Sequence, residues 1–314
     1  MNKERLPKER IQKALARQGV ASRRQIENLI AEGKLLLNGK PVVVGDQVSP
    51  GDVVVLEGKK IVIRNDENQL PRVIAYHKPE GEICSRNDPQ GRPTIFDNLP
   101  HIVHARWVAI GRLDINTAGL ILLTDNGELA NKLMHPSSKV EREYLVRTLG
   151  VATQDVMKQL VNKVELEDGP AHFEEVTYVG GGEGVNHWYH VTILEGRNRE
   201  VRRLWEAVGL QVSRLKRLRY GTVTLASTHR LGTVKELPEK AVIELAASVG
   251  LTYSKTSAAD SPARRGKARV SDTSFTEKRA PRTDKKSAAT SRRSAAGTRT
   301  QPASNRAANT RRRK

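Results

Sequence analysis

The sequence predicts an α+β protein: a small leading unit, a larger domain on a mixed and mainly antiparallel sheet, and a disordered basic tail. Three observations carry this prediction. Two short helical stripes, each closed by a glycine, precede a group of strand-like runs within residues 11–56. From residue 72 onward strand-like runs outnumber helical ones, without the regular alternation of a parallel βαβ sheet. Past Leu251 large apolar residues almost vanish, so that segment cannot bury enough surface to offset chain entropy.

Along the chain, Ile11, Ala14, Leu15 and Gln18 fall at helical spacing and stop at Gly19. Ser22 is an N-cap with Gln25 three residues on, and Ile26, Leu29 and Ile30 form an apolar face that Gly33 closes. Strands over 35–37 and 42–44 flank Asn38-Gly39-Lys40-Pro41, a hairpin signal, and Ser49-Pro50-Gly51-Asp52 marks a turn before a strand over 53–56. These elements make a leading unit over residues 8–66, followed by a polar link to Pro71. The main domain spans 72–250, with strands expected over 72–77, 106–110, 120–124, 144–149, 173–179, 188–194 and 212–220. Helices are expected over 127–134, 154–161, 199–208 and 239–247, the first started by Asp125 and Glu128 at capping-box spacing. The tail covers residues 255–314.

Lys and Arg number 54 against 35 Asp and Glu, a net charge of +19. An excess of that size points to a polyanionic partner, nucleic acid first. Residues 255–314 hold 18 basic and 4 acidic residues, hence +14, which leaves +5 for everything before them. No run approaches the roughly 20 apolar residues that cross a bilayer, and Met1 to Arg10 is polar rather than a secretory signal. A cytoplasmic protein without a membrane partner is expected. Cys84 is the one cysteine, which excludes an internal disulfide and multi-cysteine zinc sites and reads as a packing residue. His101 and His104 follow Pro100 with no obvious third ligand, so no metal site is expected. Gly180-Gly181-Gly182-Glu183-Gly184 lacks the Lys and Ser/Thr of a phosphate loop and reads as a hairpin connection.

Chemistry concentrates in two stretches. In residues 111–119 an acid, Asp114, leaves a strand into a loop of small and polar residues between two segments that must be buried. The plain alternative is a turn residue, since Asp is common in loops. In residues 195–205, Val201, Leu204 and Trp205 make a core-facing stripe that Val208 continues, while Arg197, Arg199, Arg202 and Arg203 lie elsewhere on the helix. Such a cluster suits phosphate contacts or a fixed partner for a buried carboxylate; a solvated face is the plain alternative. Arg23 and Arg24 occupy the first turn of the second helix, where the dipole disfavours cations unless an anion binds.

Gly-Arg-Leu-Asp at 111–114, Arg-Glu-Tyr at 142–144 and Glu-Gly-Arg-Asn-Arg-Glu-Val-Arg-Arg at 195–203 resemble, in order, three motifs of the small-subunit/large-subunit ribosomal pseudouridine synthase family. The leading unit resembles the S4 RNA-binding domain that these enzymes carry. Residues 76–82, Tyr-His-Lys-Pro-Glu-Gly-Glu, and 86–94, Arg-Asn-Asp-Pro-Gln-Gly-Arg-Pro-Thr, draw the likeness toward large-subunit members. It runs from about residue 8 to 250 and omits the tail.

The resemblance implies an S4-like domain, a pseudouridine synthase domain, and isomerisation of a uridine in large-subunit ribosomal RNA without a cofactor. Asp114 would be the catalytic aspartate while the glycosidic bond is cut at N1 and remade to C5; attack on sugar, attack on base and a glycal route all stay open. Arg202 would pair with Asp114 by charge and hydrogen bond, favouring its charged form. Tyr144 would stack on the base, and is a candidate for removing the C5 proton, although an ordinary phenol near pKa 10 is a poor base at neutral pH. Arg112 would fill the space of the extruded nucleotide or touch its phosphate. Arg23, Arg24, Arg197, Arg199 and Arg203 are expected to contact RNA. A monomer acting on free RNA or an assembly intermediate is expected. Two rivals are a non-catalytic S4-type ribosome-assembly protein and a sugar hydrolase, which needs two spaced acids where no second one is marked out.

Overall fold

The computed structural model describes residues 8–64, 69–181 and 184–253. The expected disordered tail, the start of the link, and Gly182 and Glu183 of the glycine run lie outside the described residues.

The leading unit forms as its local signals dictate. Strand β1 (Glu9–Arg10) enters helix α1 (Ile11–Arg17), and α2 follows over Arg23–Ala31. Ser22 and Gln25 complete a reciprocal capping box at the start of α2, so two of its orphan N–H groups are satisfied. Beyond α2, Gly33 takes φ 68° and Lys34 N donates to Leu29 O at 3.0 Å, closing the helix end. Strand β2 (Leu35–Leu37) turns through Asn38 and Gly39, both at positive φ, into β3 (Lys40–Pro41), as a two-residue hairpin requires. The strand expected over 42–44 is not there. Asp46 accepts from Val43 N and Gly45 adopts φ 105°, so the chain leaves the sheet and exposes Val43 and Val44. Strand β4 (Gln47–Val48) pairs with β1, while β5 (Val53–Leu56) and β6 (Lys59–Val62) complete a small antiparallel sheet. Ile11, Leu15, Ile26, Ile30, Leu35 and Val54 close the unit's own core.

The main domain follows with β7 (Val73–Lys78), β8 (Val108–Ile110), β9 (Ala118–Thr124), α3 (Gly127–Met134) and β10 (Arg142–Leu149). Helix α4 (Gln154–Asn162), the hairpin β11 (Val164–Leu166) and β12 (Gly169–Ala171), and the long pair β13 (Glu175–Gly181) and β14 (Asn186–Ile193) come next. The domain ends with α5 (Glu200–Ala207), β15 (Gln211–Tyr220), β16 (Val223–Thr224), β17 (Val234–Glu236) and α6 (Glu239–Ala247). Nine strands form one sheet among the described residues, with backbone order β13-β14-β10-β15-β9-β7-β17. All of its pairs are antiparallel except β9 with β15, as the mixed, mainly antiparallel class requires.

Period-2 alternation sends successive residues of β7 and β9 to opposite faces, and both faces are covered. Ile74, Tyr76, Ile121 and Leu123 pack with Leu160 of α4 and Leu204 and Trp205 of α5. Val73, Ala75, Leu120 and Leu122 pack with Leu129 and Leu133 of α3 and Leu245 of α6. The start of α3 corrects one expectation. Asn126 caps it, accepting from Glu128 N and Leu129 N, while Asp125 instead accepts from Arg72 N.

Candidate active site

The loop over 111–117 rises where the sheet divides. Along one edge of β9, β15 pairs with its first residues and β8 with its last, so the chain between β8 and β9 must climb over the gap. Gly119 permits the handover: its φ is 111°, and a Cβ there would overlap the backbone O and N of Arg217 on β15.

Every carbonyl from Leu113 to Thr117 in this loop has a donor. Cys84 Sγ donates to Leu113 O at 3.3 Å, and Gly81 N donates to Ile115 O at 2.7 Å. Lys78 Nζ donates to Asp114 O at 3.1 Å, to Thr117 O at 2.8 Å and to Pro79 O at 2.9 Å. Arg202 Nη2 donates to Asn116 O at 2.9 Å, and Thr117 N closes a turn on Asp114 O at 3.0 Å. Donors from two distant segments, residues 78–84 and Arg202, fix the backbone that carries Asp114. A backbone pinned in this way positions a side chain with little freedom to drift.

Asp114 itself is half-buried and lines a basin of about 740 Å³, with Arg112, Tyr144, Arg199, Glu200 and Arg217 among the walls. That is ample for a nucleoside monophosphate-sized guest. Two cations stand behind the loop, Lys78 and Arg202, and each feels the Asp114 charge. Burial holds the Lys78 ammonium below its ordinary value, and burial together with Arg199 does the same to the Arg202 guanidinium.

The expected direct pairing of Arg202 with Asp114 is not formed. Arg202 is 4% exposed, and Nη1 and Nη2 donate to Val212 O and Asn116 O, so it braces the loop instead of gripping the carboxylate. Tyr144 lies on β10 opposite Arg217 of β15 and Val191 of β14, 9% exposed, on the basin wall. Arg112 is exposed at the rim.

The other motif arginines divide. Arg203 makes a two-point contact with Asp168 at 2.8 and 2.9 Å, and Arg197 holds Glu195 and the carbonyls of Gly169 and Pro170. Both therefore clamp the β11–β12 hairpin to the start of α5. Arg199, at φ 48° before α5, keeps 42% of its side chain exposed and lines the basin. Arg23 and Arg24 are exposed in the first turn of α2 and are not among this basin's walls.

Four groups of the site escaped the candidates read from sequence: Lys78, Thr117, Arg142 and Arg217. Lys78 and Arg142 stood inside quoted motifs, and Arg217 shares the inward face of its strand with Leu215 two residues earlier. Beyond Asp114 the wall carries Glu195, which Arg197 holds, and, contrary to expectation, a buried acid, Glu200. Its carboxylate accepts from Arg197 N at 2.9 Å and is pushed up by burial, which suits a helix-start brace rather than a partner acid. No group of three or more His, Cys, Asp or Glu able to hold a metal occurs among the described residues. No helix among them is long and apolar enough to cross a membrane.

The family model for RNA pseudouridylate synthases matches residues 72–207, and that for the S4 domain matches residues 9–54. Ribosomal large subunit pseudouridine synthase B of Pseudomonas aeruginosa is 51% identical over 243 residues, covering 77% of this chain and 63% of that protein. Proteins of the same name from Yersinia pestis and Escherichia coli K12 are 55% and 56% identical. Those matches cover 74% and 69% of this chain and 74% and 75% of the relatives. A crystal structure of a pseudouridylate synthase superposes with a TM-score of 0.54 at 25% identity, covering 75% of this chain and 99% of that one.

Proposed function

The chain belongs to the RNA pseudouridine synthase family, and we propose that it isomerises a uridine of large-subunit ribosomal RNA to pseudouridine with Asp114 as the catalytic carboxylate. The observation that carries this reading is the loop over 113–117, whose five carbonyls are all held while the Asp114 side chain faces a basin wide enough for a nucleotide. Breaking a nucleosidic bond leaves an electron-poor sugar, and a fixed carboxylate beside it is the group the step needs. Lys78 and Arg202 support that charge from behind through their fields while each donates to carbonyls of the loop. Tyr144 offers its ring as a platform for the base.

A base inside a helix could not reach this basin, so the target nucleotide is unpaired or flipped out, at about a few kcal/mol. Arg112 and Arg199 at the rim suit its flanking phosphates, and Arg23 and Arg24 extend the phosphate track onto the S4 domain. The names of the relatives favour the large subunit as the source of the RNA. The protein would act as a monomer in the cytoplasm.

The test compares pseudouridine maps of ribosomal RNA from cells carrying the parent, no copy, or Asp114→Asn. One site is expected to be lost in both altered strains. Parental levels of modification with Asp114→Asn would overturn the catalytic assignment.

A further inference from the structure

One buried guanidinium on the basin wall has no part in the reading above. Arg217 is 2% exposed and lines the basin. Its Nε donates to Leu120 O at 2.7 Å, and its guanidinium carbon lies 5.1 Å from the centre of the Tyr220 ring, so the side chain is held at two points. Nη2 is sealed from water and has no hydrogen-bond partner. Leaving such an N–H buried and unpaired is costly unless a ligand supplies the acceptor. Register puts Arg217 opposite Tyr144 on β10 and opposite Gly119 on β9, between the aromatic platform and the strand that follows Asp114. The Thr117 hydroxyl, also buried without a partner, belongs to the same basin.

We infer that Arg217 is a catalytic residue that donates a hydrogen bond to a ring carbonyl oxygen of the target uracil. This rests on the uridine-isomerase reading. In that reaction the C1′–N1 bond breaks with its electron pair going to N1, and conjugation spreads the charge onto O2 and O4. A bond then forms from C5 to C1′, C5 loses its proton and N1 gains one, so substrate and product have the same atoms and charge. A fixed cation donating to one of those oxygens helps most while the ring is negative, and much less in the neutral substrate. Its effect therefore belongs in the rate of the chemical step and not in RNA affinity.

The test uses full-length protein and a large-subunit RNA fragment that the parent modifies, with the target uridine replaced in turn by 2-thiouridine and 4-thiouridine. Sulfur is the poorer acceptor. Single-turnover rates and RNA affinities are compared for the parent, Arg217→Met and Arg217→Gln. On unmodified RNA, Arg217→Met is expected to slow the reaction on the order of 10²-fold with affinity unchanged. One of the two thio substitutions is expected to slow the parent about tenfold, and to slow the variants no further. Equal thio penalties in parent and variants, or no penalty from either sulfur in the parent, would overturn the inference. If Arg217→Met does not fold, Arg217→Gln supplies the same comparison. A parent that makes no pseudouridine, or an Asp114→Asn protein that makes it at the parental rate, sinks the underlying reading instead.

Discussion

Lys78 is a buried cation whose three hydrogens all reach carbonyls, two of them in the loop that carries Asp114. Lys78→Met removes those donors and leaves Thr117 O without a partner, so the loop loses its floor. A carboxylate displaced by about 1 Å can cost on the order of 10²-fold in rate, and the single-turnover rate of the variant is expected to fall 10–100-fold while RNA affinity holds. Stability gives an independent readout. Burial depresses the Lys78 value below the ordinary lysine range, so between the folded value and about 10.4 the unfolded chain binds a proton that the folded one does not. Stability from this group therefore rises with pH across that window, and the rise should be missing when melting curves of Lys78→Met are compared with the parent. Gly119→Ala is the stricter residue-scale case. Its Cβ would meet the Arg217 backbone at a φ of 111°, and a loss of about 2–4 kcal/mol is expected in denaturant unfolding from strain and overlap together. A variant as stable as the parent would mean the strands separate cheaply there.

At the scale of elements, α5 does two jobs with opposite faces. Leu204 and Trp205 anchor it in the core, while Arg197 and Arg203 tie the β11–β12 hairpin to its start. The Asp168 carboxyl is held below its usual value chiefly by the hydrogen bond from Arg203. That contribution is present above the unfolded value of about 3.9 and is lost as pH falls through the folded one. Asp168→Asn should therefore lower the melting temperature modestly at pH 7, the difference closing as the pH approaches 3. The rate at saturating RNA is expected to stay within a few-fold of the parent, since the clamp lies off the reacting groups. This division of the arginines was illegible in the sequence, because nothing local distinguishes an arginine that finds Asp168 from one that finds a phosphate. By contrast α3, α5 and α6 were readable almost to the residue, from apolar stripes ended by glycines or prolines. The β11–β12 hairpin and β17 were not, being three residues each with Pro170 or charged side chains inside them. Asp114 was legible as an acid between two obligatorily buried segments. Arg202 was expected to pair with Asp114 and instead donates to two carbonyls, because a guanidinium that reaches backbone oxygens looks in sequence like one awaiting a carboxylate.

At the scale of the whole molecule, the S4 unit and the synthase domain meet closely enough that a Cβ on Gly19 would come within 2.6 Å of Ala105 O. Arg106, one residue on, is held below its ordinary value by burial and then by the charge of Arg23 on α2. Cations thus face one another across the junction, beside a helix N-terminus that has no acidic residue in its first turn. A phosphate there relieves both penalties at once. Replacing Arg23 and Arg24 together by Gln is expected to weaken RNA binding and to make the slope of log affinity against log salt shallower by about 1.4–1.8, as two lost phosphate contacts would. The rate at saturating RNA should be unchanged, because neither side chain lines the basin. Ending the chain at residue 254 removes 18 basic and 4 acidic residues, and should flatten the slope further without altering the chemical step. The two changes remove different basic residues, so their effects on the slope should add. Titrations of the parent, the double variant, the shortened chain and their combination over a range of salt decide the matter. A double variant with the parental slope would remove the α2 arginines from the phosphate track, and a shortened chain with the parental slope would remove the tail.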